Sequence, residues 1–273
     1  MPWPDENESE RWIDWSYWQN DGSLFHRPFD VDAFCATHPY VEGVVLRAVW
    51  PNGNPDQHYA HYFDGFTSNG KKVASYVWPN PQKSVPAQVD DWKRGLGDRI
   101  PKLIGQDYED AATFVGATPT QLTSLMRACW EAAHVHFPQA VHMNYSRGNW
   151  IAAKIIVGEW IHAIKWWMAH YISTHETQYV AAKHWTEIDV KLPISNNFTP
   201  GRGPIKVENV VGWQFSSSGQ IVSKGTSDMD YFLKSFIGPV FGGAGPPPPP
   251  PVEKIPIEVR VPAGKTNVTI VET

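Results

Sequence analysis

Apolar, strand-like runs alternate with amphipathic, helix-like runs along most of the chain, and this alternation limits the folds available to it. The strand-like runs are 12–14, 41–50, 72–78, 103–109, 140–145, 163–171 and 210–215. The helix-like runs are 58–68, 87–96, 118–133 and 150–160. Parallel strands joined by helices form an α/β sheet, and this number of strands suits a closed barrel. We therefore predict an irregular TIM-like (β/α) barrel, with a long loop within 180–208.

The C-terminal part of the chain differs in composition from the rest. A Gly-rich stretch at 241–245 runs into unbroken prolines at 246–251, which predicts an extended, semi-rigid spacer. After it, alternating apolar and polar residues flank a turn at 262–266, which predicts a short β-hairpin. The predicted units are an N-terminal extension (1–11), a barrel (12–240), a linker (241–251) and a hairpin tail (252–273).

An isolated hairpin is marginally stable in water, so residues 252–273 need a surface on which to pack. The barrel, a second copy of the chain or a larger assembly would each provide one. An unstructured tail is an equally good interpretation of the same residues. The sequence pattern leaves these alternatives open.

The composition argues against nucleic acid and membranes as partners. The formal net charge is -5 and the pI is near 6.1, so no basic field attracts polyanions. The most apolar stretch, 151–171, contains Lys154, Glu159, His162 and Lys165, which argues against a membrane span. The first residues are acidic and interrupted by proline. We therefore expect no signal peptide.

The Trp and Cys contents indicate how the interior is built. Aromatic residues make up 13% of the chain, and 14 of them are Trp. Sugar rings stack on exposed aromatic side chains, so such a content is typical of carbohydrate clefts. For any single Trp, burial in a large core is the favoured interpretation. Cys35 and Cys129 lie in apolar surroundings without metal-site spacing, so we expect buried free thiols.

Two carboxylates, Asp107 and Glu109, stand at the end of the strand-like run 103–109. Side chains alternate along a strand, so both acids face one side while Tyr108 faces the other. Two adjacent acids do not ionise freely together, so one of them tends to keep its proton near neutral pH. A protonated acid beside a carboxylate is what cleavage of a glycosidic bond requires. Asp-x-Glu alone is a weak signal, because it occurs by chance in many chains.

Further polar and aromatic residues occur at the carboxyl ends of the predicted strands. In barrels of this class these ends form one mouth, where the chemistry takes place. The acid at the first strand end is Asp14. The candidate substrate-binding residues at the other ends are Trp50, Tyr76, Trp78, Tyr145, Tyr171 and Gln214, with His170 beside them.

Metal, phosphate and nucleophile sites find little support in the sequence. His134 and His136 face different directions on a helix, and no carboxylate-rich metal motif accompanies them or the pair His58 and His61. Surface or core histidines are the favoured interpretation. No Gly-rich phosphate loop follows a strand, and no nucleophilic serine elbow occurs. We expect no metal and no cofactor.

Eight blocks of the sequence occur in the order found in one enzyme family. They are IDWSYWQ from Ile13, VVLRA from Val44, VASYVW from Val73, DYE from Asp107, MNYS from Met143, WMAHY from Trp167, GWQFSSSG from Gly212 and SDMDYF from Ser227. The first resembles an Asp-x-Ser-x-x-Gln motif, and DYE resembles an Asp-x-Glu motif. Over residues 12–236 the chain resembles glycoside hydrolase family 25, the Chalaropsis-type lysozymes that include many phage endolysins.

The resemblance implies an irregular α/β barrel that cleaves the β-1,4 bond between N-acetylmuramic acid and N-acetylglucosamine in peptidoglycan. It implies that Glu109 is the general acid and that Asp107 orients the substrate acetamido group or stabilises its positive charge. Asp14 and Asp228 would complete the acidic cluster. The resemblance also implies retention of configuration with the acetamido group as nucleophile, which is an exception to the scheme with two catalytic carboxylates, whereas the sequence itself leaves retention and inversion open.

Two positions depart from the family pattern. Many members carry an acid shortly after the second strand, where this chain has Trp50, so we expect a less polar cleft floor. The residue before Asp107 is usually apolar, but here it is Gln106, which should face the same side as Tyr108. Neither change removes an expected catalytic group.

Two other functions are alternatives to hydrolysis. A catalytically inactive wall-binding module would hold glycan strands, but it has no use for an acid placed to donate a proton. A structural phage-tail component that carries a lysozyme-like domain is compatible with activity. The expected partner is peptidoglycan in each case. A free endolysin in the host cytoplasm, with holin-type release to the wall, and a virion-borne tail enzyme fit the sequence equally well.

Overall fold

The computed structural model of the protein describes residues 8–16, 28–109, 114–156, 158–169, 205, 209–219 and 227–242. Within these residues, the strands form a closed barrel in chain order. They are β1 (Ser9–Trp15), β2 (Gly43–Val49), β3 (Lys72–Val77), β4 (Leu103–Tyr108), β5 (Val141–Arg147), β6 (Trp166–Ala169), β7 (Val210–Gly219) and β8 (Ser227–Leu233). Strands β1 to β7 are parallel to their neighbours, whereas β8 is antiparallel to both β7 and β1. The predicted irregular α/β barrel is confirmed.

Helices accompany the strands, and local signals set several of their starts. They are α1 (Val31–Thr37), α2 (Tyr59–Ser68), α3 (Val85–Leu96), α4 (Pro119–His136), α5 (Gly148–Lys154) and α6 (Lys234–Phe241), with a 3-10 helix at Glu159–Ala163. The side chains of Asp30 and Ser84 accept hydrogen bonds from first-turn amides of α1 and α3. Thr118 and Gln121 form a capping box at the start of α4. No helix in the described part of the chain is long and apolar enough to cross a membrane.

Alternation along the strands directs one set of side chains into the barrel and the other set against the helices. The interior set forms an apolar layer made of Trp12, Val45, Ala74, Leu103, Met143, Trp167 and Phe232. Gly212 makes room for this layer, because a Cβ there would lie 2.4 Å from the ring of Phe232. Nearer the amino ends of the strands, Glu10 pairs with Lys72 and accepts a hydrogen bond from Nε1 of Trp12 at 3.1 Å.

Helix α6 closes the amino-terminal end of the barrel. Its residues Ile237 and Val240 pack into the interior cluster, and the ring of Phe241 meets Trp12 edge-on with centroids 5.8 Å apart. Nζ of Lys102, just before β4, donates to the carbonyl of Phe241 at 3.4 Å. The opposite end, where β1 to β7 finish and β8 starts, is the mouth of the barrel.

Several predicted boundaries differ from the structure. The helix predicted at 150–160 is α5 followed by the 3-10 helix, because extended backbone at Ile155 ends α5. The strand predicted at 163–171 is β6 in its described part, and β1 begins ahead of the barrel boundary predicted at residue 12. Elements α1, α6 and β8 are additional to the predicted pattern. The predicted loop within 180–208, apart from residue 205, and the predicted hairpin lie outside the described residues.

The described core agrees with the favoured interpretation of the Trp and Cys residues. Its largest fully buried side chains include Trp12, Trp15, Trp92, Trp166, Trp167 and Trp213. Cys35 and Cys129 are buried and free. Burial raises the pKa of Cys129 to about 12, so its thiol stays protonated and unreactive at neutral pH.

A buried histidine makes the stability of the barrel depend on pH. His142 packs against His134 with ring centroids 4.5 Å apart, and its Nε2 donates to the carbonyl of Phe137 at 3.1 Å. Burial, followed by the charge of His134, lowers the pKa of His142 to about 3. The unfolded chain protonates a histidine near pH ~6.5. The folded state therefore binds fewer protons, and its stability falls as the pH drops from about 6.5 towards 3.

We expect His142→Gln to remove this loss of stability. Between pH 7 and pH 5 the parent protein should lose about 2 kcal/mol of unfolding free energy through His142, and the variant should retain it. Urea unfolding followed by circular dichroism at both pH values measures the difference. His136→Gln, at an exposed position of α4, is the control. Equal pH dependence in all three proteins would contradict a neutral, buried His142.

Candidate active site

Four acids meet at the mouth of the barrel, and we call Asp14, Asp107, Glu109 and Asp228 the acidic cluster. Asp14 lies near the end of β1, and Asp107 lies near the end of β4 with Glu109 directly after it. Asp228 lies at the start of β8, which runs antiparallel, so it is the direct partner of Asp14 in the β1–β8 ladder. The structure therefore brings together the four acids that the sequence analysis named.

The members of the acidic cluster are close enough to perturb one another. Burial raises the pKa of Asp14 well above its usual range, and the charges of Asp228, Asp230 and Asp107 raise it further. Burial, followed by the charge of Glu109, raises the pKa of Asp107. The same two causes raise the pKa of Asp228 to about 7. At neutral pH the cluster therefore holds protons that isolated carboxylates would release.

Glu109 differs from Asp107 in its exposure. The side chain of Glu109 is 28% exposed at the rim, whereas Asp107 is 4% exposed beneath it. Arg147, at the end of β5, approaches Glu109 with 3.8 Å between Nη2 and Oε2. Behind the strand, the hydroxyl of Tyr108 donates to Oε1 of Gln106 at 2.8 Å, so these two residues face away from the acids as expected. A molecule that enters the mouth meets Glu109 before Asp107.

Asp14 is oriented by a chain of contacts through β5, β6 and β7. Gln214 donates from Nε2 to Oδ2 of Asp14 at 3.5 Å, and its Oε1 accepts from the hydroxyl of Tyr145 at 2.7 Å. Tyr145 packs on Trp167 with ring centroids 4.5 Å apart. Nε1 of Trp167 then donates to Oδ1 of Asp230 at 2.8 Å. The candidate substrate-binding residues Tyr145 and Gln214 are thus buried beneath the mouth, where they support Asp14.

Asp230 is a fifth acid, which the sequence analysis did not single out as a site residue. It is fully buried, and burial followed by the charge of Asp228 raises its pKa. Asp228 and Asp230 are two residues apart on β8, so their side chains face the same side of the strand. This spacing is the sequence pattern that could have identified Asp230. A buried carboxyl group without a cation is stable in its neutral form. Burial therefore favours the protonated form of Asp230 beneath the cluster, and its negative charge, when it ionises, raises the pKa of Asp14.

Arg47 is a second residue that the sequence analysis missed as part of the site. It is 4% exposed, and its Nε and Nη2 donate to Oδ2 of Asp56 at 3.1 and 3.0 Å. Its guanidinium carbon lies 3.5 Å from the ring centroid of Trp50. The charge of Arg47 lowers the pKa of Asp14 and Asp107, against the larger effect of burial. The sequence pattern that could have identified Arg47 is a charged residue in the otherwise apolar stretch of β2.

The remaining candidate substrate-binding residues lie on the β2–β3 side of the mouth. Trp50 and Trp78 follow directly after β2 and β3 and are partly buried. Tyr76 is buried inside the barrel, where burial and then the charge of Asp14 raise its pKa. Tyr171, like His170, lies outside the described residues.

Two of the histidines considered for metal binding, His61 and His134, have contacts with backbone carbonyls. His61 donates from Nε2 to the carbonyl of Phe29 at 3.2 Å, and Nδ1 of His134 lies 2.8 Å from the carbonyl of Trp130. Within the described ranges, no group of three or more His, Cys, Asp and Glu residues is placed to hold a metal ion. The carboxyl groups at the mouth, with Arg47 beside them, are suited to proton transfer and to stabilising positive charge.

Comparison with known proteins identifies the architecture. No protein-family model and no curated protein matches the sequence, whereas 21 chains of solved structure match the fold. The muramidase of Acremonium alcalophilum matches with a TM-score of 0.59 at 16% identity, over 85% of this chain and 98% of that one. A family 25 glycosyl hydrolase of Bacillus anthracis matches with a TM-score of 0.59 at 10% identity, over 84% and 91%.

The catalytic domain of endolysin ply40, from bacteriophage P40 of Listeria monocytogenes, matches with a TM-score of 0.54 at 14% identity, over 85% of this chain and 96% of that domain. The matches span nearly the whole of each domain, and their sequence identities are low. What they share with this chain is therefore its architecture. The chain has the barrel fold of the glycoside hydrolase family 25 muramidases and endolysins.

Proposed function

We propose that the protein is a peptidoglycan hydrolase, an N-acetylmuramidase that cleaves the β-1,4 bond between N-acetylmuramic acid and N-acetylglucosamine. The observation that carries this proposal is the acidic cluster, with raised pKa values at Asp14, Asp107 and Asp228 and with Glu109 at the rim. Glycosidic cleavage needs a proton donor at the leaving oxygen and negative charge near the developing cation. The fold shared with muramidases supports the same activity.

In this proposal Glu109 is the proton donor, because a glycan in the mouth reaches it first. Glu109 gives its proton to the glycosidic oxygen as the bond from C1 to that oxygen breaks. The acetamido oxygen of the muramic acid residue bonds to C1, and Asp107 stabilises the positive charge on that group. A water molecule then adds its oxygen to C1 as the bond from C1 to the acetamido oxygen breaks, and it returns one proton to Glu109. Asp14 and Asp228 supply further negative potential and orient the reacting groups.

The proposed contacts with the glycan strand are aromatic. Trp50 and Trp78, at the ends of neighbouring strands, would offer ring faces to the apolar sides of sugar rings. Since the ring of Trp50 also lies on Arg47, its position is fixed before the substrate arrives. The other proposed substrate-site residues are Tyr76, Tyr145, Tyr171 and Gln214.

We also propose that the chain is encoded by a phage and acts in lysis or in entry, since endolysins share the fold. A free endolysin would collect in the host cytoplasm and reach the wall after holin-type release. A virion enzyme would instead be attached through the predicted spacer and hairpin at 246–273. Mass spectrometry of purified particles distinguishes the two locations, because only a virion enzyme remains with them.

Product analysis tests the proposed activity. The purified protein should release new reducing ends from peptidoglycan, and borohydride reduction should convert them to muramicitol, as detected by mass spectrometry. Glucosaminitol would instead identify a glucosaminidase and contradict the proposed bond. Binding to the wall without any reducing ends would identify a glycan-binding module.

A further inference from the structure

Arg47 places a positive charge inside the barrel at the level of the acidic cluster. In the β2–β3 ladder its partner is Tyr76, and in the β1–β2 ladder Asp14 is paired with Val45, two residues before Arg47. Val45 is part of the interior layer, so the side chain of Arg47 is on the same interior face. Burying a cation costs several kcal/mol unless its partners compensate. The contacts that hold Arg47 therefore determine how its positive charge is kept beside the acidic cluster.

The guanidinium group is held on one edge and on one face. Nε and Nη2 share a single acceptor, Oδ2 of Asp56, whose side chain is 1% exposed, and Trp50 covers the face. Asp56 is itself fixed, because its Oδ1 accepts from the amide of His58 at 3.0 Å and its own amide donates to the carbonyl of Ala48 at 2.9 Å. The positive charge therefore has one defined position.

The loop that carries Trp50 and Asp56 is braced from several sides. The amide of Trp50 donates to the carbonyl of Asn54 at 2.9 Å, and Gly53 takes a positive φ of 88° to close this turn. Nδ2 of Asn80 and Nζ of Lys83, both after β3, donate to loop carbonyls at 2.9 Å. These contacts fix the position of Asp56. A movement of the Arg47 guanidinium towards the acidic cluster would therefore break its hydrogen bonds with Asp56.

The charged groups around Asp14 and Asp107 come from several strands. After burial, the charges that raise the pKa of Asp14 are those of Asp228, Asp230 and Asp107, and Arg47 lowers it. Burial and then the charge of Glu109 raise the pKa of Asp107, and the charge of Asp228 raises it further. The charges of Arg47 and then Arg147 lower this pKa. Tyr76 of β3 also faces these groups. Arg147 is 37% exposed at the rim, so water screens its charge more than that of Arg47.

We propose that Arg47 is a positioning residue of the acidic cluster: held by Asp56 and Trp50, it is the fixed positive charge that keeps Asp14 and Asp107 available as carboxylates. The proposal rests on the proposed function, since it names what those carboxylates need in order to stabilise a cationic intermediate. Asp56 sets the strength of this effect, because its negative charge offsets part of the charge of Arg47. Removal of Arg47 should therefore raise the pKa of Asp14 and Asp107, whereas removal of Asp56 should lower it.

Two single variants test this opposition through the pH profile of kcat/KM. Arg47→Met removes the positive charge, so more of Asp14 and Asp107 is protonated at a given pH and the acid limb should move up by about one pH unit or more. Asp56→Asn leaves the charge of Arg47 without its counter-ion, so the acid limb should move down. Arg47→Lys keeps the charge and should leave the limb close to its original position, although it loses the paired hydrogen bonds.

A purely structural ion pair gives a different pattern. Arg47→Met and Asp56→Asn would then both lower stability and activity, and the acid limb would stay in place or move in one direction for both, which would overturn the proposal. Because Arg47→Met leaves Asp56 buried without its partner, the double variant Arg47→Met/Asp56→Leu removes both charges together. Its acid limb should still move up. Arg99→Met, in the surface pair with Asp64, is the matched control and should leave the profile unchanged.

Carboxyl-carbon NMR of aspartate-labelled protein provides a readout that does not need turnover. Asp14→Asn and Asp107→Asn assign the two signals, and their midpoints should rise in Arg47→Met and fall in Asp56→Asn. These shifts in a protein without hydrolytic activity would support the role of Arg47 and refute the proposed function. Unmoved midpoints in an active protein would refute the role of Arg47 alone.

Discussion

Glu109→Gln should lower the turnover of peptidoglycan on the order of 10³-fold while leaving the fold unchanged. Glutamine keeps the size of the side chain but has no proton to give to the leaving oxygen. Glu109 is partly exposed at the rim, so the exchange creates no buried cavity and no unpaired buried charge. Initial rates of reducing-end release, measured beside a thermal melt, separate loss of chemistry from loss of structure.

The matched control is Glu131→Gln, the same exchange at an exposed position of α4. Its activity should equal that of the parent protein. Asp107→Asn should also be strongly impaired, because the charge behind Glu109 is lost. If Glu109→Gln kept most of the activity, the proton would have to come from another member of the acidic cluster, and the proposed assignment would be wrong.

Asp228→Asn should make the protein more stable and less active at the same time. The folded state raises the pKa of Asp228 to about 7, whereas an unfolded aspartate titrates near ~3.9. Between these values the folded state binds the extra proton. The contribution of Asp228 to stability is therefore full below about pH 4 and is lost as the pH rises through about 7. Asparagine does not ionise, so the variant avoids this loss.

At pH 8 the variant should be more stable by about 2 kcal/mol, a value reduced because Asp228 is only partly buried and water screens its charge. Below pH 4 the two proteins should unfold alike. Activity should fall on the order of 10²-fold, since a charge that stabilises the cationic intermediate is gone. Chemical unfolding at both pH values, with rates at pH 8, where Asp228 is mostly ionised, checks the combination. A variant less stable than the parent protein at pH 8 would contradict an aspartate whose pKa is raised by burial and by Glu109.

Much of the barrel could be predicted from the sequence, because long elements have clear periods. The apolar runs at 41–50 and 72–78 predicted β2 and β3, and the amphipathic run at 118–133 predicted most of α4. Helices α1 and α6, with 7 and 8 residues, are too short for their period to stand out. Their positions depend on packing against the barrel, which a sequence pattern does not contain.

The candidate site was predictable where acids end a strand and less so where tertiary contacts define a role. Asp107 and Glu109 could be assigned to one face from their spacing alone. Arg47 could not, because its role depends on Asp56, which the β2–α2 loop brings back to it across the braced turn. Tyr145 and Gln214 were predicted as contacts for substrate from their positions at strand ends, but their link to Asp14 is a network that joins three strands and could not be predicted from the sequence.

The closure of the barrel by α6 determines from which side the domain can be held. Because this helix seals the end opposite the acidic cluster, the last described residue, Gly242, lies on the far side of the barrel from the mouth. A carrier attached directly after that residue, whether a particle, a bead or a targeting module, would therefore approach the domain from the end opposite the acidic cluster and leave the mouth of the barrel open.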